Sequence, residues 1–178
     1  NMIEDWAIPS MQDSLKDSQV ELIWATDEGQ QTLVDINTYQ SATPDGLFIS
    51  REVFEVEEEN GEKRFTKCLY NELKSIDPRA FDNLREPKFQ HRMQVQQGID
   101  LVRRTSDYFP THAVITYINA SFVNQIKSWV IPFDEKVALG LRSRAISVFT
   151  KFSLQNLPEP EGKIEGGNEC CLLYTSPS

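Results

Sequence analysis

The sequence predicts a mixed α/β layer architecture built as one domain, and three observations carry that expectation. The chain has 178 residues, a length suited to one sizeable hydrophobic core. Its first half reads as short strands separated by turn signals, and its second half as helix, strand pair and helix. Hydrophobic residues make up 39%, aromatics 10% and charged residues 25%, which describes a globular chain rather than a disordered or fibrous one. No stretch approaches the roughly 18 consecutive apolar residues of a membrane span, so no membrane partner is expected.

Taken in order, residues 3–16 read as a short amphipathic helix, broken or reset near Pro9. Val20-Glu21-Leu22-Ile23-Trp24-Ala25 alternates like a strand, and Asp27-Glu28-Gly29 turns it into Thr32-Leu33-Val34-Asp35-Ile36. A polar loop leads to Pro44-Asp45-Gly46 and the apolar run Leu47-Phe48-Ile49. Val53-Phe54-Glu55-Val56 and the run from Arg64 to Tyr70 flank Asn60-Gly61, whose glycine favours a tight primed hairpin turn. The second arm continues through Asn71-Glu72-Leu73-Lys74-Ser75-Ile76, and a turn-rich segment with Pro78 and Pro87 follows. Residues 89–107 form a helix whose Val95, Ile99 and Val102 share one face. Residues 114–118 and 126–131 pair as strands. Asp134 then caps a last helix with Val137, Leu141, Ala145 and Val148 as its apolar stripe. Beyond Phe152 the periodicity fades, and Pro158, Pro160, Gly166 and Gly167 mark a loop or linker.

The chain opens on Asn1, so the domain over 1–153 is expected to be truncated at its N-terminus, and a secretory leader cannot be judged. Residues 154–170 read as a loop or the start of a lost cysteine-containing segment. Residues 171–178, from Cys171 to Ser178, resemble the translation of a sequencing-library adapter and are set aside from fold reasoning. Of the cysteines, Cys68 then reads as a small buried hydrophobe and Cys170 stands alone near the end. This is no disulfide framework, and it fits a reducing cytoplasm. Asn119-Ala120-Ser121 matches a glycosylation acceptor, a triplet discounted for a cytoplasmic chain.

The formal net charge of −9 argues at first against a phosphate-bearing partner. Its distribution reads otherwise. Residues 1–60 carry 2 basic and 14 acidic side chains, residues 61–153 carry 15 and 9, and residues 154–178 carry 1 and 4. A solvated acidic face beside an ordinary mixed one fits these counts. So does a second half built to meet an anion, with Lys74, Arg85, Lys88, Arg92, Arg103 and Arg104 inside it.

Chemistry concentrates at Asp45, Glu72 and Lys74. Strand residues two apart share a face, so Glu72 and Lys74 project together. If the strand after Asp45 neighbours theirs, two carboxylates and an ammonium meet at one sheet edge. Two carboxylates and a backbone carbonyl make a hard oxygen site for Mg²⁺ or Mn²⁺, and such an ion polarises a phosphate and acidifies water. A nearby lysine positions that water or offsets developing charge. Taken singly, Pro-Asp-Gly is a common turn and Glu-x-Lys an ordinary solvated strand pair.

In this order the motifs resemble the PD-(D/E)XK nuclease superfamily in its RecB-like branch, which includes phage exonucleases and CRISPR-adaptation nucleases. Pro44-Asp45 matches the first motif and Glu72-Leu73-Lys74 the second. Residues 84–96 look like the segment leading into the glutamine-bearing helix, and the likeness spans about residues 20–153. The resemblance implies a restriction-endonuclease-like core, a mixed central β-sheet flanked by helices. It also implies a Mg²⁺-dependent deoxyribonuclease, expected to be an exonuclease, acting on DNA in the cytoplasm of a bacterial or phage-infected cell. By the same resemblance Asp45, Glu72 and the Leu73 carbonyl bind metal, Lys74 is the catalytic lysine, and Gln94 helps hold the site. Lys88, His91 and Arg92 are candidates for DNA contact. Where the branch has a tyrosine four residues after that glutamine, this chain has Gly98, which puts the helix's supporting role in question. The histidine that often adds a ligand would lie upstream of Asn1, since none precedes His91. Many members end in cysteines holding an iron–sulfur cluster, which makes Cys170 a candidate first ligand. The alternative is a catalytically silent relative that binds DNA or a partner protein.

Overall fold

The computed structural model describes residues 2–26, 28–58 and 60–150, with side chains from Trp6 onward. Its elements are α1 (Met2–Leu15), β1 (Val20–Ile23), β2 (Leu33–Asp35), β3 (Gln40–Ala42), β4 (Leu47–Glu57), β5 (Lys63–Ile76), α2 (Pro78–Asn83), α3 (Phe89–Thr105), β6 (His112–Asn119), β7 (Ile126–Pro132) and α4 (Glu135–Thr150). The main sheet has five strands in the order β1-β4-β5-β6-β7. β5 pairs antiparallel with β4 and parallel with β6, so the sheet is mixed. A parallel pair needs a long crossover, and α2 and α3 fill it.

β5 shows why this strand sits in the middle. Its first residues, Lys63–Phe65, are exposed, whereas Cys68–Leu73 are buried without alternation, the pattern of a strand covered on both faces. On one face Cys68, Tyr70 and Ile76 join Val95, Ile99 and Val102 of α3 and Ala113, Ile115 and Tyr117 of β6. On the other, Leu73 and Ile118 join Ala7 and Ile8 of α1 and Leu22 of β1. Two cores therefore sandwich the sheet. No helix among the described residues is long and apolar enough to cross a membrane.

Several elements depart from the sequence reading. The strands after residue 20 do not form a hairpin. β1 pairs with β4, while β2 pairs with β3 in a separate two-stranded sheet. Trp24 takes a φ of 59° directly after β1, which turns the chain out of the sheet, and its ring meets the edge of Tyr108 at 5.2 Å. β3 is polar and three residues long, so it carries no hydrophobic period to read. The two apolar runs at 47–49 and 53–56 are one strand with a register shift between Ile49 and Phe54. The hairpin is not closed by a two-residue turn: β4 ends at Glu57 and β5 begins at Lys63, Glu58 N–H donates to Glu62 O at 2.8 Å, and Gly61 has a φ of 79°. α1 runs through Pro9. The turn-rich segment holds α2, whose start is the Asp77-Pro78 pair: the Asp77 side chain accepts from Arg79 N and proline takes the first turn. The adapter-like residues and the 154–170 segment lie outside the described residues.

α4 begins where expected, with Asp134 Oδ1 accepting from Lys136 N at 2.9 Å and Val137 N at 3.2 Å. Its apolar stripe is only half-buried, and Ala138 is the buried residue. Polar contacts supply the rest of its attachment to α3. Gln96 donates to Pro132 O at 2.9 Å and accepts from Asp134 N at 2.7 Å. Asp100 accepts from Arg104 Nε at 3.0 Å and Arg142 Nη2 at 2.5 Å, and Arg104 reaches on to Asp35 and Gln40. Asp100 thus ties α4 and the small sheet to α3. Asp100 is 5% exposed, so Asp100→Ala leaves the Arg142 guanidinium without its partner, while Arg104 keeps Asp35 and Gln40. The substitution is expected to cost about 3 kcal/mol of stability, measured by urea denaturation. A loss below about 0.5 kcal/mol would show that α4 docks without it.

Candidate functional site

The Pro-Asp-Gly tripeptide is not a free surface turn. Leu47 lies opposite Tyr70 in the β4–β5 ladder, and continuing that register by two residues sets Asp45 opposite Glu72. Gly46 has a φ of 134°, and a Cβ there would lie 2.7 Å from Leu22 Cδ1 and 3.1 Å from Ile23 O. Only glycine passes this point between β1 and β5. Asn71 N donates to Gly46 O at 2.9 Å, Asn71 Nδ2 to Asp45 O at 3.2 Å and Leu73 N to Asp45 Oδ2 at 2.8 Å. Asp45 is therefore fastened to β5 through its backbone and its carboxylate. In an extended strand the N–H and C=O of one residue point the same way, so the Leu73 carbonyl faces the Asp45 edge too.

Tyr70, Glu72 and Lys74 share the other direction, perpendicular to the sheet and toward α3. Two strand residues advance about 6.6 Å and four helical residues about 6 Å. α3 can therefore lay Gly98 over Tyr70 and Gln94 beside Glu72. Gln94 Nε2 donates to Glu72 Oε1 at 2.7 Å, and Lys74 Nζ lies 2.5 Å from the same oxygen. Glu72 is 2% exposed. Its Oε2 is buried without a hydrogen-bond partner. Burial first, and then the charge of Asp45, push the Glu72 carboxyl up to about 7, against the Lys74 ammonium, which pulls it down.

Tyr117 on β6 lies opposite Lys74 and holds the entry of α3. Its hydroxyl accepts from Lys88 N at 3.0 Å and meets His91 Nδ1 at 2.7 Å. Having accepted from the Lys88 amide, that hydroxyl can donate to Nδ1 of a neutral imidazole, which leaves Nε2–H as a donor. Burial, then the charges of Lys74 and Lys88, lower His91 to about 4, in keeping with the neutral ring. The Lys88 side chain is exposed and Arg92 is half-buried, with Arg92 4.0 Å from Glu86.

The structure thus brings together Asp45, Glu72, Leu73, Lys74 and Gln94, and sets Lys88, His91 and Arg92 along the first turn of the helix above them. Cys170 lies outside the described residues. His112 is elsewhere, buried against Glu58 at 3.0 Å. Cys68 is buried with its thiol pushed up to about 12 by burial, as a structural cysteine. A separate cleft of about 730 Å³, lined by Arg51, Glu52, Lys67, Cys68, Tyr108 and Phe109 among others, contains none of the site residues. The sequence reading missed the supports: Gly46, Tyr70, Asn71 and Tyr117. Tyr70 had a signal, since it stands two residues before Glu72 on the same face. The glycine at position 98 has a local cause, because a Cβ there would lie 2.5 Å from the Tyr70 ring.

Among the described residues no group of three or more His, Cys, Asp or Glu side chains is arranged around a metal position. The donors at this site are two carboxylates and a carbonyl. They fit a hard divalent cation on one observation: a buried carboxylate oxygen without a partner, beside a second carboxylate. Like charges in a dry setting resist joint ionisation, and a cation would remove that conflict.

No family model matches the chain, and no curated protein matches it. Among solved structures, the crystal structure of SSO0001 is similar with a TM-score of 0.46 at 18% sequence identity, over 97% of this chain and 68% of that one.

The raised Glu72 value has a stability consequence. Its folded value of about 7 exceeds the ordinary 4.5. Below pH 4.5 both states are protonated and the shift costs nothing. As pH rises toward 7 the unfolded chain loses its proton while the folded chain keeps it, and stability falls by about 3 kcal/mol. In metal-free buffer Glu72→Gln is expected to flatten this slope, matching the parent near pH 4 and exceeding it at pH 8. Parallel slopes in denaturation midpoints from pH 4 to 8 would contradict this.

Proposed function

We propose that this chain is a metal-dependent DNA nuclease of the PD-(D/E)XK type that hydrolyses phosphodiester bonds, with exonuclease action favoured. The observation that carries the reading is the meeting of Asp45, Glu72 and Lys74 at the β4–β5 edge, with Gln94 reaching from α3 to the Glu72 carboxylate. Asp45, Glu72 and the Leu73 carbonyl would hold Mg²⁺ or Mn²⁺, which when bound supplies positive charge at the scissile phosphate and a more acidic water. Lys74 orients the attacking water and offsets charge growing on the phosphate oxygens. Gln94 keeps Glu72 turned toward the Asp45 side by occupying Oε1. His91, as a neutral imidazole, offers Nε2–H to a phosphate, and Lys88 and Arg92 add charge along the same helix turn.

A DNA substrate is compatible with the net charge, because phosphate attraction depends on charges near the backbone and the acidic excess lies in residues 1–60. That same acidic segment favours a second reading, a silent module that binds DNA or a partner protein without cleaving. In either reading the protein would act in the cytoplasm of a bacterial or phage-infected cell.

With Mg²⁺ present, the parent protein is expected to degrade linear DNA. Lys74→Ala should lower the rate at least about 100-fold while leaving DNA binding and the unfolding transition in place. Undiminished cleavage by Lys74→Ala would remove the assignment. Binding without cleavage by the parent would favour the silent module.

A further inference from the structure

Glycine inside a helix is unfavourable, because it loses more backbone freedom than any other residue. Gly98 nevertheless stands in the middle of α3, among the buried residues Val95, Gln96, Ile99 and Asp100. Its backbone is ordinary helix, so conformation does not demand glycine there. A neighbour does. A Cβ at position 98 would lie 2.5 Å from both Cζ and the hydroxyl oxygen of Tyr70 and 2.6 Å from Cε2. The helix backbone therefore rests on the hydroxyl end of that ring rather than on its edge.

Tyr70 is 1% exposed. A ring this deep would be Phe if packing alone decided, since a buried phenol needs a polar partner. The partner available is Glu72, two residues along the same face of β5. The phenol interacts with the Glu72 carboxylate, but does not satisfy Oε2. Lys74 and Gln94 both hold Oε1. The carboxylate is thus gripped on one oxygen and bounded by the phenol, while its second oxygen is buried without a hydrogen-bond partner.

We propose that Tyr70 is a positioning residue for the metal site. Gly98 is the notch in α3 that admits its hydroxyl, and together they fix the Glu72 carboxylate so that Oε2 is presented to a divalent cation. This rests on the reading of Asp45 and Glu72 as metal ligands. In this role Tyr70 acts through Glu72 alone. A ring that merely filled the core would be replaced by Phe without effect on metal binding. A ring that orients a ligand would not, because groups that orient metal ligands typically change affinity 10- to 100-fold when removed.

The test is Mn²⁺ binding to the full chain by titration calorimetry, alongside its thermal unfolding transition. Tyr70→Phe is expected to unfold cooperatively like the parent and to bind Mn²⁺ about tenfold more weakly, and Glu72→Gln to lose binding. Gly98→Ala forces a methyl into the phenol and should lower both stability and Mn²⁺ affinity. Adding Tyr70→Leu to Gly98→Ala makes room, so the double variant should recover the transition without recovering the affinity. Equal Mn²⁺ affinity in the parent and Tyr70→Phe, with Glu72→Gln defective, overturns the positioning role and leaves the metal site standing. Parent-like affinity in the double variant overturns it as well, and decides the matter if Tyr70→Phe fails to fold. A parent that does not bind Mn²⁺ overturns the metal site and this role with it.

Discussion

The burial of the Glu72 carboxylate on the central strand constrains everything around it. A carboxylate removed from water is stable only if it is neutral or matched by positive charge and hydrogen bonds. Here the match is incomplete by one oxygen. Lys74 and Gln94 share Oε1, Asp45 stands opposite with its own charge, and the result is a carboxyl pushed up to about 7. In the proposed reading a bound ligand would relieve that conflict. A divalent cation between Asp45 and Glu72 is the ligand whose charge and hardness suit that place.

The sheet topology makes this placement possible. β5 has an antiparallel neighbour on one side and a parallel neighbour on the other. The antiparallel side ends at Leu47, which leaves the later amides of β5 to Gly46 and Asp45 instead of to a continued ladder. The parallel side requires a crossover, and the crossover helix α3 lies over Tyr70, Glu72 and Lys74. Its residues then meet the strand in step, Gly98 with Tyr70 and Gln94 with Glu72. Tyr117 of β6, opposite Lys74 in register, fastens the start of that helix through Lys88 and His91.

Much of this was legible in the sequence where residues obey one strong local rule. Val95, Ile99 and Val102 marked the buried face of α3, Asp134 marked the start of α4, and Glu72 and Lys74 shared a strand face by parity. What was not legible depends on distant partners. Gln40, Ser41 and Ala42 form β3 only because Leu33, Val34 and Asp35 lie beside them. Val20 to Ile23 look equally ready for a hairpin until Trp24 turns the chain and β4 takes the pairing. Gly98 looked like the loss of a side chain. It is a gap filled from 28 positions earlier by Tyr70, which no local pattern announces. The half-buried stripe of α4 was overread because its attachment to α3 runs through Gln96, Asp100 and Arg142 as well as through apolar contact.

Anomalous diffraction from crystals of the parent protein grown with Mn²⁺ tests the central claim most directly. One peak is expected about 2.1 Å from a carboxylate oxygen of Asp45, Glu72 Oε2 and the Leu73 carbonyl oxygen, with Lys74 and Gln94 still on Oε1. Crystals saturated with Mn²⁺ that show no peak between Asp45 and Glu72 would contradict it.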